Sequence, residues 1–345
     1  MNIKLFGFFF CFCLVGFNSM ATEQDSQFNV ADPSYQIVFP RDHGPHKNFR
    51  IEWWYFTANL KSKSIDNLGI QWTLFKSNLK PDSRENTKRL NGFWMAHSAI
   101  TTETLHYSEE RFARESTGQA GVTLNPFKAW IDNWSMKGDN KLGNIKLESS
   151  GVEFSYSLQL SANIRPVLQG ERGFSKKSEK RAASHYYSQP FYSVQGWVNL
   201  NGQQHIVEGV GWLDREWSSN LLNENQLGWD WFSLHLDNGE KVMLFKVRND
   251  NGSDFMSGSW INKNGTKRPL KSTDFRLEET GYSIIKGRRI PTQWKIVVLG
   301  RDQYTINTEA LNINSWMETS FPYWEGPISF SGDLSGVGYL EMTGY

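Results

Sequence analysis

The sequence predicts an all-β protein made of two tandem antiparallel β-barrels, and three observations carry that reading: a duplicated pair of motifs, period-two alternation, and closely spaced tight turns. Glu52-Trp53-Trp54-Tyr55-Phe56-Thr57-Ala58-Asn59-Leu60 followed by Trp72-Thr73-Leu74-Phe75-Lys76 returns as Gly228-Trp229-Asp230-Trp231-Phe232-Ser233-Leu234-His235-Leu236 followed by Val242-Met243-Leu244-Phe245-Lys246. Downstream of the first copy, Gly209-Val210-Gly211-Trp212-Leu213-Asp214 is echoed after the second by Gly336-Val337-Gly338-Tyr339-Leu340-Glu341. Opening and closing strands match in order, as expected of one β module duplicated in tandem. Val152, Phe154, Tyr156, Leu158 and Leu160 alternate as a strand with one buried face does, and no 3.6-residue periodicity is sustained. Asn201-Gly202, Asn238-Gly239, Asn251-Gly252 and Asn264-Gly265 supply residues that accept positive φ in hairpins. Closed barrels would remove the edges that so many short strands otherwise expose.

Along the chain, residues 1–21 stand apart. Lys4 precedes an apolar run from Leu5 to Phe17, and Ser19-Met20-Ala21 places small residues where a signal peptidase cuts, so cleavage is expected after Ala21 and the mature protein is expected to be exported, periplasmic or secreted. The run is shorter than the ~20 residues of a membrane-spanning helix. Both cysteines, Cys11 and Cys13, lie in this leader, which leaves the mature chain no disulfide, thiolate nucleophile or cysteine ligand. Removing Lys4 takes the net charge from +1 to 0, and nothing in that balance attracts nucleic acid. The first domain is expected over residues 30–217 and the second over 218–345. Aligned on the repeat, the first module is longer by about fifty residues, mostly between Phe112 and Ser184. Within that excess, residues 169–181 are polar and do not alternate, reading as a long loop over a barrel mouth.

Pro40-Arg41-Asp42-His43-Gly44-Pro45-His46 leading into Glu52-Trp53-Trp54-Tyr55, then Ser184-His185-Tyr186-Tyr187-Ser188, then Trp212-Leu213-Asp214-Arg215-Glu216-Trp217, together with Tyr323-Trp324-Glu325-Gly326, resemble the AttH-like secreted proteins. That family is related to hydroxyneurosporene synthase, the carotenoid 1,2-hydratase, and the resemblance runs over essentially the whole mature chain. It implies two packed lipocalin-like (calycin) barrels and a hydrophobic ligand, isoprenoid or polyketide-like. In the hydratase branch the functional set is a histidine, an aromatic two residues later, a second aromatic, and an aspartate two after that. Those positions fall on His185, Tyr187, Trp212 and Asp214. The hydratase has tryptophan where Tyr187 stands and tyrosine where Trp212 stands, which bears on the identity of the substrate.

Strand geometry gives the set two arrangements. His185 and Tyr187 share one face of their strand, and Trp212, Asp214 and Glu216 share one face of theirs. If those faces meet inside the first barrel, a desolvated Asp214 serves as general acid toward an alkene, the aromatic rings steady the carbocation, and His185 orients or deprotonates the capturing water. In the alternative, Leu213, Arg215 and Trp217 point inward and Asp214 and Glu216 form surface or inter-domain contacts. Glu52, Trp54 and His97 are further candidates to line a ligand cavity, expected in the first barrel rather than the second. His43, His46 and Glu52 are too loosely spaced to make a zinc pattern, so no metal and no cofactor is expected. A serine or cysteine hydrolase has no support, since there is no Gly-x-Ser-x-Gly elbow. Two functions remain: a hydratase-like lyase acting through Asp214 and His185, or a non-catalytic carrier of a lipid or other apolar ligand, in transient association with a membrane or an ABC transporter. Oligomeric state is left open.

Overall fold

The computed structural model describes residues 28–81, 92–180, 182–299 and 303–345; the leader and its cleavage position lie outside them. Two curled antiparallel sheets, a nearly closed barrel and a half-barrel, account for the chain. The first holds β1 (Ile51–Lys61), β2 (Leu68–Asn78), β3 (Gly92–Thr102), β4 (His106–Arg114), β5 (Ala120–Leu124), β6 (Phe127–Ile131), β7 (Trp134–Gly138), β8 (Asn144–Ser150), β9 (Phe154–Ser161), β10 (Val167–Leu168), β11 (Phe174–Lys176), β12 (Ala183–Leu200) and β13 (Gln203–Asn220). The second holds β14 (Gln226–Leu236), β15 (Lys241–Asn249), β16 (Phe255–Ile261), β17 (Lys267–Lys271), β18 (Phe275–Ile285), β19 (Arg288–Val298), β20 (Tyr304–Ala310), β21 (Trp316–Met317), β22 (Tyr323–Gly332) and β23 (Gly336–Met342). The expected division after Trp217 falls inside β13, and the chain crosses between sheets over residues 221–225. Aligned on strand order, the first sheet is prolonged by the hairpin β5–β6, which has no counterpart beyond β18 in the second.

The duplication is written in the pairing register. The first sheet is centred on the order β2-β1-β13-β12 and the second on β15-β14-β23-β22. Phe56 stands opposite Leu213 and Thr57 opposite Trp212; correspondingly, Phe232 stands opposite Leu340 and Ser233 opposite Tyr339. One step along, Tyr55 faces Asp214 and Trp231 faces Glu341. Across the next ladder Ser188 faces Asp214, and Glu325 faces Glu341. Asp214 and Glu341 are therefore repeat equivalents, as are Ser188 and Glu325.

Alternation divides each central strand between two environments. Trp54, Phe56, Trp72, Trp94, Tyr156, Tyr192 and Leu213 point into the first barrel, where they are almost wholly buried. These aromatics fill the interior in which a ligand cavity is expected. A small apolar void of about 10 Å³, room for a single water, lies in the second module between Leu234, Val242, Trp260 and Tyr304. The opposite faces meet each other: Tyr55, Tyr186 and Trp212 pack with Trp231, Met243, Phe245 and Tyr339 in a core between the modules. Residues 164–180 do not cover a barrel mouth. They run as a strap along this seam, where Gln169 binds Ser188 at 2.9 Å and accepts from Ser259 of the second sheet at 2.7 Å. The Lys267 ammonium donates to the carbonyls of Leu168 and Gly170.

Approach across the seam is close enough to require glycine at position 69, where an added Cβ would stand 2.6 Å from both the Pro327 ring and the Tyr339 hydroxyl. Gly69→Val should force the modules apart and lower unfolding stability by about 1–3 kcal/mol, measurable by denaturant titration.

Candidate active site

The pairing of β12 with β13 decides which predicted residues meet. His185 lies opposite Trp217 and Tyr187 opposite Arg215, while Tyr186 lies opposite Glu216 and Ser188 opposite Asp214. Directly opposed residues share a face. His185 and Tyr187 therefore point into the first barrel, and Trp212 and Asp214 point away from it into the seam. The four-residue set is split between two sides of one sheet: Asp214 and His185 do not meet, and of the two arrangements the one with Leu213, Arg215 and Trp217 inward is found.

The barrel side is a closed network at one end of the first barrel, capped by residues 28–50. Arg215 is fully buried and pairs with the equally buried Glu52. Its guanidinium stacks 3.8 Å over Trp54 and donates to the Gly44 carbonyl at 2.6 Å. The His46 amide donates to both Glu52 oxygens, and the Trp54 indole donates to the His43 carbonyl at 2.9 Å. Tyr187 and His43 share a hydrogen bond of 2.6 Å. His185 packs among Tyr35, Phe49 and Trp217 and accepts from the Asp32 amide at 3.4 Å. Burial lowers its pKa to about 4, keeping the ring neutral. Glu52 and Trp54 thus hold the barrel end together. Among the described residues no three His, Cys, Asp or Glu side chains are grouped as metal ligands.

The seam side carries the unpaired acid. Asp214 is 3 % exposed, and its Oδ1 accepts from the Trp212 indole at 2.7 Å and from the Ser188 hydroxyl at 2.5 Å. Oδ2 lies 2.7 Å from the Tyr186 hydroxyl, which itself accepts from the Trp231 indole of the other module at 3.3 Å. Burial pushes the carboxyl up to about 7 against the downward pull of those hydrogen bonds. Its neighbour Glu216 differs in being paired, with Lys177 at 2.8 Å. Trp212 meets Trp231 and His235 edge to face, at ring separations of 6.3 and 5.8 Å. His97 also belongs here rather than in a barrel, bonded to Tyr323 of the second module at 3.0 Å and to Glu110 at 3.1 Å. Tyr186, Ser188, Gln169 and Glu325 were not singled out by sequence. The signal was present for two of them, because Ser184-His185-Tyr186-Tyr187-Ser188 shows both strand faces at once.

Two β modules closing on a desolvated carboxyl ringed by indoles and phenols define the class of protein. The chain belongs to the AttH-like family, whose profile matches residues 30–345. A protein from Nitrosomonas europaea solved as an AttH is 27% identical, over 92% of this chain and 100% of that one, with a TM-score of 0.82. Kievitone hydratase from Nectria haematococca is 14% identical, over 92% and 96% of the two chains, with a TM-score of 0.67. CghA, solved with Sch210972, shares the fold at 7% identity and a TM-score of 0.56, over 91% of this chain and 97% of that one. No curated protein matches the sequence.

Removing Glu52 would strand the Arg215 charge in the interior. Glu52→Ala should cost about 3–5 kcal/mol of stability at neutral pH. Burial alone would raise the Glu52 carboxyl, but Arg215 and His46 outweigh it and depress the pKa to about 2. A depressed value stabilises above the ordinary glutamate value of 4.5, and that contribution is lost as pH falls toward about 2. Urea titrations at several pH values should show the gap between parent and variant narrowing with acid.

Proposed function

We propose that the protein is an exported acid catalyst of the hydratase type, which admits an unsaturated, apolar, isoprenoid-like molecule between its modules and protonates it from Asp214. The observation that carries this reading is a carboxyl kept out of water, without a cation, whose pKa is pushed up to about 7. Such a group stays substantially protonated near neutrality and releases its proton there. The hydratase named among the structural relatives is consistent with this chemistry.

The hydrogen bonds orient the acid. The Gln169 amide donates to Ser188 Oγ, which turns the serine hydrogen toward Asp214 Oδ1, and Trp212 supplies a second donor to the same oxygen. Oδ1 thus accepts two hydrogens while Oδ2 accepts one, from the Tyr186 hydroxyl, and the acid proton belongs on the remaining lone pair of Oδ2. Its transfer to an alkene carbon leaves positive charge at the more substituted carbon, and the faces of Trp212, Trp231 and Tyr55 are placed to steady it. His185 and Tyr187 take no part in this reading, because they face the barrel. Entry requires the modules to part along the strap, a motion of the kind that gates many enclosed sites. The carrier reading has less support, since a carrier would use the barrel interior that aromatic side chains occupy.

Incubating the protein with linear isoprenoid alkenes such as squalene and geraniol in oxygen-labelled water, followed by mass spectrometry, tests the proposal. The parent should form labelled tertiary alcohol, and Asp214→Asn should lower the rate by about 100-fold or more. A variant that hydrates at the parental rate would refute it. Stability gives a second readout. A raised carboxyl pKa contributes fully below the ordinary aspartate value of 3.8, and that contribution is lost as pH rises through about 7. Asp214→Asn should therefore melt higher than the parent above pH ~7 and no higher below pH ~4.

A further inference from the structure

The second module brings its own carboxyls to the seam. Glu325 and Glu341 are directly opposed on β22 and β23, which sets their Cβ atoms about 4.5–5.5 Å apart on one face. Glu325 is 1 % exposed, and its Oε1 accepts from the Tyr55 hydroxyl of the first module at 2.5 Å. Its Oε2 is buried without a hydrogen-bond partner. Glu341 accepts from the Trp229 indole at 2.8 Å. Among the described residues neither glutamate forms an ion pair. Of the cations around the seam, Lys177 pairs with Glu216, Lys246 and Arg248 pair with Asp230 on the opposite face of β14, and Lys241 stands opposite His235 with its ammonium over the Phe191 ring. His97 is held between Tyr323 and Glu110.

Two facing carboxylates, Glu325 buried and Glu341 half-buried, repel each other too strongly for both to stay ionised. Burial and the charge of Glu341 push the Glu325 carboxyl well above its ordinary range. Burial, with Asp214 and Glu216 adding to it, pushes Glu341 up to about 7. An independent feature marks the same surface as a place where something binds. Ser233 Oγ and His235 Nδ1, on the seam face of β14, are buried at 1 and 5 % exposure and have no partner. His235 lies against Trp212, in the core that also contains Asp214's tryptophan and tyrosine donors. Polar groups left unpaired in an interior cost about 1–3 kcal/mol each, a cost that a ligand or its water can remove.

We propose that Glu325 and Glu341 hold one proton between them and form, opposite Asp214, the base half of a two-sided acid–base site for an apolar molecule that becomes positively charged. This deepens the reading of Asp214 as the acid and rests on it. In the step it describes, the alkene π pair takes the proton from Asp214 Oδ2 to form a C–H bond. A solvent water attacks the resulting cation through oxygen, and the ionised member of the glutamate pair takes the proton that this water loses. Alkene and water become an alcohol, Asp214 is left ionised, and the pair is left with two protons. One proton returns to Asp214 through solvent before the next turnover, and no redox partner is involved.

Infrared titration of the protonated-carboxyl band in the mature chain tests the shared proton without any substrate. Glutamine keeps the shape of either side chain and removes the repulsion, so the fold persists. In Glu341→Gln the Glu325 midpoint should fall by about one pH unit or more, because the charge that raises it is gone, and in Asp214→Asn the titration of the pair should persist. An unchanged Glu325 midpoint in Glu341→Gln would overturn the proposal. Binding of N,N-dimethylfarnesylamine, cationic at neutral pH, against neutral farnesol tests the charge. The parent should favour the amine by about tenfold or more, Asp214→Asn should keep that preference, and Glu325→Gln/Glu341→Gln should lose it. Equal preference in the parent and the double variant would also overturn the proposal. Neither measurement depends on turnover, so an Asp214→Asn variant that hydrates normally would remove the acid assignment while leaving the pair intact.

Discussion

Exclusion of water from the seam between the two sheets is the constraint on which the rest of the molecule depends. Tyr55, Trp212 and Trp231 supply the apolar area that drives the modules together, and their edge-to-face contacts fix how they meet. The same packing removes solvent from Asp214 and Glu325 and leaves Glu341 half-buried. Desolvation is the largest influence on all three carboxyls, and it acts in the same direction on each. Without the aromatic packing they would be ordinary surface acids.

The two sides of β13 contrast sharply in how they treat charge. On the barrel side Arg215 and Glu52 neutralise each other, and surrounding carbonyls, amides and indoles satisfy most of what remains. A network of that kind is a structural joint, fixing residues 28–50 over the barrel end. On the seam side Asp214, Glu325 and Glu341, unlike Glu216, are held by neutral donors, which lower the cost of burial without supplying a counter-charge. A buried acid with neutral partners keeps a proton that it can exchange, whereas an acid paired with arginine has none to give. That distinction, rather than depth of burial, separates the candidate site from the scaffold.

Much of this was legible in the sequence. The tandem motifs located both halves of each central ladder, and alternation correctly grouped Trp212 with Asp214 and His185 with Tyr187. What alternation cannot specify is which face of one strand lies on the same side as which face of the next. That depends on register, and a one-residue slip exchanges the two faces. The β12–β13 ladder also carries irregularities between Ala183 and His185 and between Gln189 and Tyr192, which no periodicity announces. The inward orientation of Arg215 runs against the usual place of arginine; only its buried partner Glu52, more than 160 positions away, makes it tolerable. Gln169 lay in a stretch read as loop because its role is set by Ser188 and Ser259, both distant in the chain.

The duplicated register has a consequence for how such a site can evolve. Two identical copies meeting through the same surface would form an isologous contact, in which every substitution is made twice and donors confront donors. Covalent fusion lifts that restriction. Ser188 and Glu325 occupy equivalent positions, yet one donates a hydroxyl hydrogen to its cross-strand acid and the other adds a carboxyl beside it. Tandem fusion therefore lets one inherited surface present different polarity from its two sides, and breaking the symmetry is what gives the seam a direction.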